Sequence, residues 1–280
     1  MKVKVSGALF AAALLTACGG DDSSSNNGLN ISINESALLS APSQPSLTSA
    51  TVNDADSIIL HSRNTGSIGD GATLDFNYLA QADVDNVLVR LTSGAEDLDL
   101  AVRASDYSVS EYADTYSSEE YIIFDAANNV NYSVSVESIE SSGNFELILT
   151  TLNRETLKLA GGENLVKHSI TGNENCGDGP YSIDYDDYSV INWKKGYIRT
   201  LNSDYKESFS AAEGNTFTIK SSDKETEDGY SYTSQESYTL TVNPETAVIS
   251  GTGSGSSTEV DGGDTETCTW NLTFNGQVLL

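Results

Sequence analysis

Basic residues are scarce in this chain. Its 280 residues include 14 lysines and arginines against 41 acids, a formal charge of −27. Such a surface repels phosphate backbones and anionic headgroups, which excludes nucleic acid as a partner. It suits divalent cations, basic partners or a salty medium. Histidine is scarcer still, with only His61 and His168. A Cys/His metal centre is therefore disfavoured, and any Ser-His-Asp triad would have to use one of those two. His61 precedes the first strand-rich segment and His168 lies in an alternating run over 166–170, so both read as surface or strand histidines. G-x-S-x-G, H-E-x-x-H and Walker sequences are absent, and no enzyme signature remains. The acids are too evenly spread to single out a pair for glycoside hydrolysis. After the first residues, no apolar run approaches membrane-spanning length.

The start of the chain carries an address. Lys2 and Lys4 precede an apolar stretch over 5–15 that is too short for a permanent span and reads as a signal-peptide core. Leu15-Thr16-Ala17-Cys18 follows, which resembles the lipobox of bacterial lipoproteins. The resemblance implies removal of residues 1–17, lipid (palmitate among its chains) on Cys18, and the membrane as a partner through that lipid. Gly19 in place of Asp implies the outer membrane of the cell envelope. Residues 18–49 are rich in Ser, Asn, Gly and Asp and contain Pro42 and Pro45, a composition that reads as a flexible tether. With Cys18 lipidated, Cys176 and Cys268 form an even pair in an oxidising compartment and are expected to be disulfide-bonded.

Two segments follow. Residues 50–152 hold 18 acids against Arg63, Arg90 and Arg103 and no lysine, whereas 153–280 hold 20 acids and nine bases. Each is the size of one domain. Both read as β. Val87, Val89 and Leu91 alternate with Leu88 and Arg90, and Tyr132, Val134 and Val136 alternate with Ser133 and Ser135. A period of two places one set on a core and the other in water. In the second segment, runs at 193–201, 217–220, 230–233, 238–242, 248–251 and 267–274 are separated by Gly, Asn, Asp and Ser. Six or more such strands predict a meander closed into an antiparallel β-barrel or sandwich. Cys268 shares a face with Trp270, Leu272 and Phe274, so it is expected to point inward.

Within the first segment, Leu74-Asp75-Phe76-Asn77-Tyr78, Val87-Leu88-Val89-Arg90-Leu91 and the run from Gly94 through Asp97-Leu98-Asp99-Leu100-Ala101-Val102-Arg103 resemble the bacterial pre-peptidase C-terminal (PPC) domain. Ser118-Glu119-Glu120-Tyr121-Ile122 is similar to a later acidic strand start of that family, and 132–136 with 143–147 to its closing pattern. Ala101 departs from it, standing where an aromatic is usual. The resemblance covers about 70–151 and implies a jelly-roll-like antiparallel β-sandwich without catalytic residues of its own. Some relatives bind calcium and protein fibres.

Calcium takes six to eight oxygens, so carboxylates close in sequence are the candidates. Asp97 and Asp99, two apart on one strand, are expected to point the same way, toward calcium or toward water beside Arg103. Asp54 and Asp56, ahead of the sandwich, are a second pair, suggested by the relatives. Asp184, Asp186 and Asp187 read as a solvated loop after the turn at 178–180. The groups at 223–228 and at 261–266 read as charged hairpin ends. Tyr107, Tyr112, Tyr116 and Tyr121, like Tyr181, Tyr185 and Tyr188, are expected to pack at strand ends. Together these features predict a non-enzymatic, envelope-anchored binding module for protein, glycan or matrix, assisted by calcium. An exported hydrolase or its accessory, and a structural envelope lipoprotein, are the alternatives.

Overall fold

The computed structural model describes residues 28–39, 47–52, 57–94, 97–139, 142–177, 179–203, 205–227 and 229–280. Cys18, Asp54 and Asp56 lie outside them. The chain divides into two units. One spans 40–158, and the other joins 159–280 to the segment 28–39. Among the described residues only a 3-10 turn at Glu35–Ala37 is helical, so the all-β expectation holds.

The first unit is a sandwich. One sheet has the order β1 (Thr48–Thr51), β2 (Ser62–Ile68), β9 (Gly143–Thr151), β4 (Val84–Thr92), β7 (Glu119–Ala126). The other has the order β3 (Thr73–Leu79), β8 (Asn131–Glu137), β5 (Asp99–Ala104), β6 (Ser110–Ala113). All these pairings are antiparallel except β1 with β2, which is parallel. The alternation read from the sequence decides the packing. Val87, Val89 and Leu91 meet Val134, Val136, Leu147 and Leu149 in the core. Their out-of-phase neighbours Leu88 and Arg90 are also buried. The Arg90 guanidinium donates to the Thr156 carbonyl at 3.1 Å and pairs with Glu146 at 3.3 Å, so the stretch after β9 lies over that outer face. Tyr132 is fully buried, and its hydroxyl accepts a hydrogen bond from the Ala127 amide at 2.8 Å.

The second unit is a closed eight-stranded meander: β10 (Asn164–Cys176), β11 (Gly179–Asn192), β12 (Tyr197–Thr200), β13 (Glu207–Ala211), β14 (Thr216–Glu227), β15 (Tyr230–Asn243), β16 (Val248–Asp261) and β17 (Asp264–Val278), with β17 returning to pair with β10. Of the two architectures expected, this is the barrel. Apart from Val248 and Val260, outward positions along β14–β17 are Ser, Thr, Asn, Gln and Lys, such as Thr218, Lys220, Ser237, Thr252 and Thr273. A lipid-facing barrel carries an apolar outer band, and this wall is polar. Two stretches differ from the sequence reading. Residues 230–243 form one unbroken strand, and the Gly/Ser/Thr-rich 252–261, read as turn, is the outer part of β16. The ladder explains this. Gly253 and Gly255 face inward opposite Tyr238 and Trp270, and a Cβ on either would come within 2.3–2.4 Å of those rings. Glycine here is space for an aromatic neighbour.

Residues 28–39 correct the tether boundary. Leu29 is buried, and Ile31, Ile33 and Leu38 pack against the barrel core. Backbone bonds join Leu29 to Trp193, Asn34 to Pro244 and Leu39 to Leu279. The segment therefore stops one end of the barrel. The Ser/Asn-rich composition concealed an alternating apolar set, Leu29, Ile31 and Ile33. The opposite end holds the expected disulfide. Cys176 and Cys268, with Cα atoms 4.2 Å apart, bridge the first and last strands across the seam of the barrel. The bond closes a loop spanning 92 residues, for which chain entropy gives about 4–5 kcal/mol, with 2–4 typical of measured bonds. Replacing both cysteines with serine is expected to lower unfolding free energy by about 2–4 kcal/mol in urea titration; an unchanged midpoint would show that the seam holds without it.

Candidate functional site

The sandwich gathers its acids at one pole. The starts of β5 and β7 and the ends of β6 and β8 meet there, bringing Asp97, Asp99, Asp114, Glu120 and Glu137 together. Asp99 opens β5 directly opposite Glu137. It is buried, at 3% exposure, and accepts a hydrogen bond from the Tyr112 hydroxyl at 3.0 Å. That hydroxyl also lies 3.5 Å from Glu137. Asp97 precedes the strand and is exposed. The two aspartates are therefore not an outward pair on one face, although the Asp97 charge reaches Asp99. Arg103 sits at the far end of β5 opposite Ser110, away from Asp99.

Glu120 is the residue that sequence reading passed over. It is in phase with Ile122, Phe124 and Ala126, which are core residues, and this parity was the available signal. At 1% exposure its carboxylate is almost dry. Oε1 accepts the Thr115 amide at 2.8 Å and the Thr115 hydroxyl at 3.3 Å, while Oε2 takes no hydrogen bond from any described residue. Burial, reinforced by the Asp99 charge and opposed by the Thr115 bonds and a backbone bond from Leu100, pushes Glu120 up to about 8. Burial also raises Asp99, with the Tyr112 bond working against it and Asp114, Asp97 and Glu137 adding to it. The Tyr112 phenol is raised in turn, by burial and by its bond to Asp99. A dry carboxylate among like charges holds its proton.

Tyr116, beside Thr115, is 99% exposed, and Tyr107, in the β5–β6 turn, is 92% exposed. The expectation that these tyrosines pack holds for Tyr121, buried with its hydroxyl on Glu119 at 2.7 Å, and fails for these two. Tyr107 is held at φ 64°, a left-handed conformation that leaves its ring in solvent.

The remaining candidates fall elsewhere. Asp184, Asp186 and Asp187 lie within β11 rather than in a loop, because β10 pairs along the whole of that strand. Asp223, Glu225 and Glu227, like Asp261, Asp264 and Glu266, flank the β14–β15 and β16–β17 hairpins, as read from sequence; Asp228 lies outside the described residues. His61 is half-buried, with Nδ1 3.0 Å from Thr150 Oγ1. His168 is buried in the barrel, stacked on Phe274 with ring centroids 4.8 Å apart. Burial lowers it to about 4, and so weak a base is poorly matched to general-base work near neutrality. Among the described residues, the one group of three metal-ligating side chains whose donor atoms lie within 4.8 Å of one another is Glu174, Cys176 and Cys268, and both cysteines are spent in the disulfide.

No family model matches the chain, and no curated protein matches it. A solved structure similar to part of it is the pre-peptidase C-terminal domain of collagenase from Bacillus anthracis. The two share 18% identity and a TM-score of 0.31, with 39% of this chain and 99% of that one covered.

Because the folded pKa of Glu120 lies above its unfolded value near 4.5, the folded state binds the extra proton between them. The stability this contributes is complete below pH about 4.5 and is lost as pH rises through about 8. Glu120→Gln keeps the acceptor for Thr115 and removes the charge. It is expected to raise unfolding free energy by about 1–3 kcal/mol at pH 8 and by little at pH 4. Urea titrations at both values measure this, and equal effects at the two would refute it.

Proposed function

We propose that the chain is an exported, lipid-anchored binding protein without catalytic activity. Its sandwich would present the acidic pole to a protein, glycan or matrix surface, with calcium completing the contact. The observation that carries this reading is the pole itself: buried Glu120 with an unused carboxylate oxygen, beside Asp99 and within reach of the Asp97 and Asp114 charges. Tyr116 stands at its rim as exposed amphipathic contact area. A cation entering the pole would neutralise the charges that now force protonation. The donor atoms of Asp97, Asp99 and Glu120 do not all lie within 4.8 Å of one another, so calcium would have to draw these carboxylates inward, with backbone carbonyls and water filling the coordination shell. The reading as a non-catalytic module rests on the absence of enzyme motifs in the sequence and on the feeble basicity of His168. The anchor rests on the Leu15-Thr16-Ala17-Cys18 sequence, and Gly19 in place of Asp after it favours the outer membrane.

Two measurements test the parts separately. Calcium is expected to raise the thermal midpoint of the sandwich, with a calorimetric binding signal lost in Asp99→Asn. An unchanged midpoint would remove calcium from the proposal. Cells fed radiolabelled palmitate are expected to label the wild-type chain and not the Cys18→Ser variant; an unlabelled wild type would remove the anchor.

A further inference from the structure

The inside of the barrel changes character along its length. Near the end stopped by residues 28–39, inward positions are apolar: Val166, Ile191, Phe217, Leu240 and Ile249. Along β15 the inward series runs Val242, Leu240, Tyr238 and then Glu236, Ser234 and Tyr232, passing from buried to half-buried. The other strands change with it. Asp187 occupies the inward phase of β11, two residues before Ser189 and four before core Ile191, and Glu207 that of β13, two before core Phe209. The ladder sets Glu236, Gly255, Trp270 and Glu174 in one row around the wall. Among the described residues, no inward position of β10–β17 is lysine or arginine; Lys167, Arg199, Lys220 and Lys224 all sit on the outward phase.

Several polar atoms of this lining lack partners. Glu207 is 8% exposed, and its Oε2 takes no hydrogen bond from a described residue; the same holds for Tyr185 Oη and Trp270 Nε1. Glu236 is better served, accepting from Ser221 at 2.7 Å and from the Tyr238 hydroxyl at 3.4 Å. Dehydrated groups without partners are costly, and here three of them share the inward face of the barrel with the acids.

We infer that the barrel interior is a binding chamber for a small organic cation, an amine whose ammonium is received by Glu207 and Glu236 and whose carbon skeleton lies against Tyr185, Tyr238 and Trp270. The acids select a cation, since no base inside neutralises them. They select an organic one because Asp187, Glu207 and Glu236 do not converge as closely as one metal ion requires, whereas an ammonium spreads its three donors over separate acceptors. Aromatic faces around the site favour the same class. Electrostatics agree. Burial and the Glu236 charge hold Glu207 up to about 7, and burial raises Glu236 and Asp187. Tyr185 and Tyr238 are raised by burial first and then by these carboxylates. A bound ammonium would replace protons that the chamber otherwise retains. This inference concerns the barrel and is independent of the acidic pole of the sandwich.

The test uses the full chain carrying Trp193→Phe, which leaves Trp270 as the one tryptophan and places the fluorophore in the chamber wall. n-Butylammonium is expected to change its fluorescence saturably, while n-butanol and calcium leave it unchanged. Glu207→Gln is expected to weaken the response about tenfold, the value of one charge-assisted hydrogen bond. Glu236→Gln is the second variant should the first not fold. No saturable response to n-butylammonium in the folded chain, or a response matched by n-butanol, would overturn the inference.

Discussion

Everything in this molecule depends on the two-residue period of β-strand burial. Neighbouring side chains leave a strand on opposite faces, so a residue's parity decides whether it must give up water. In the sandwich that parity assembles Val87, Val89, Leu91, Val134 and Leu147 into one core. In the barrel it lines the interior with Val166, Ile170, Phe217, Leu240 and Phe274 and turns the hydroxyl-rich positions outward. The same rule acts on the acids. Glu120, Asp187, Glu207 and Glu236 are in phase with core residues, and being in phase, not being acidic, makes them unusual in a chain of 41 acids.

Both acid groups lie where the core runs out, at the strand ends in the sandwich and partway along β11 and β15 in the barrel, and their protonation follows from that position. A carboxylate deeper in either core would find no hydrogen-bond donors, and one farther out would stay hydrated and ionised. At the margin each keeps some partners, Thr115 for Glu120 and Ser221 for Glu236, while burial, joined at Glu120 by the Asp99 charge, holds its proton at higher pH than usual. The two groups differ in what surrounds them. The sandwich pole opens onto Asp97, Tyr116 and solvent, whereas the barrel acids face one another across a wall with aromatic rings and no base. The first geometry suits a hydrated cation shared with a surface, and the second a ligand that enters.

Much of this was legible one strand at a time. The division into two β units, the alternation at 87–91 and 132–136, the inward Cys268 and the hairpin ends at 223–228 and 261–266 follow from local pattern. Three readings failed for identifiable reasons. Asp184, Asp186 and Asp187 looked like loop because their strand is built from polar residues and gains its place from pairing with β10. Residues 252–261 looked like turn because glycine and serine weaken strand propensity, while Gly253 and Gly255 are needed under Tyr238 and Trp270. Residues 28–39 looked like tether because three apolar side chains were outweighed by Ser and Asn.

The amino-acid sequence by itself determined the class of fold, the sign of the charge, the absence of familiar catalytic motifs, the cysteine pair and the parity of every strand residue. These depend on composition and on near neighbours in the chain. Only the tertiary structure decided that β17 returns to β10, that Glu236 and Trp270 share a row with Glu174, and that Asp99 lies near Glu120. Such neighbours are separated by long stretches of chain, and they meet only when register and closure fix how far each strand slides past the next.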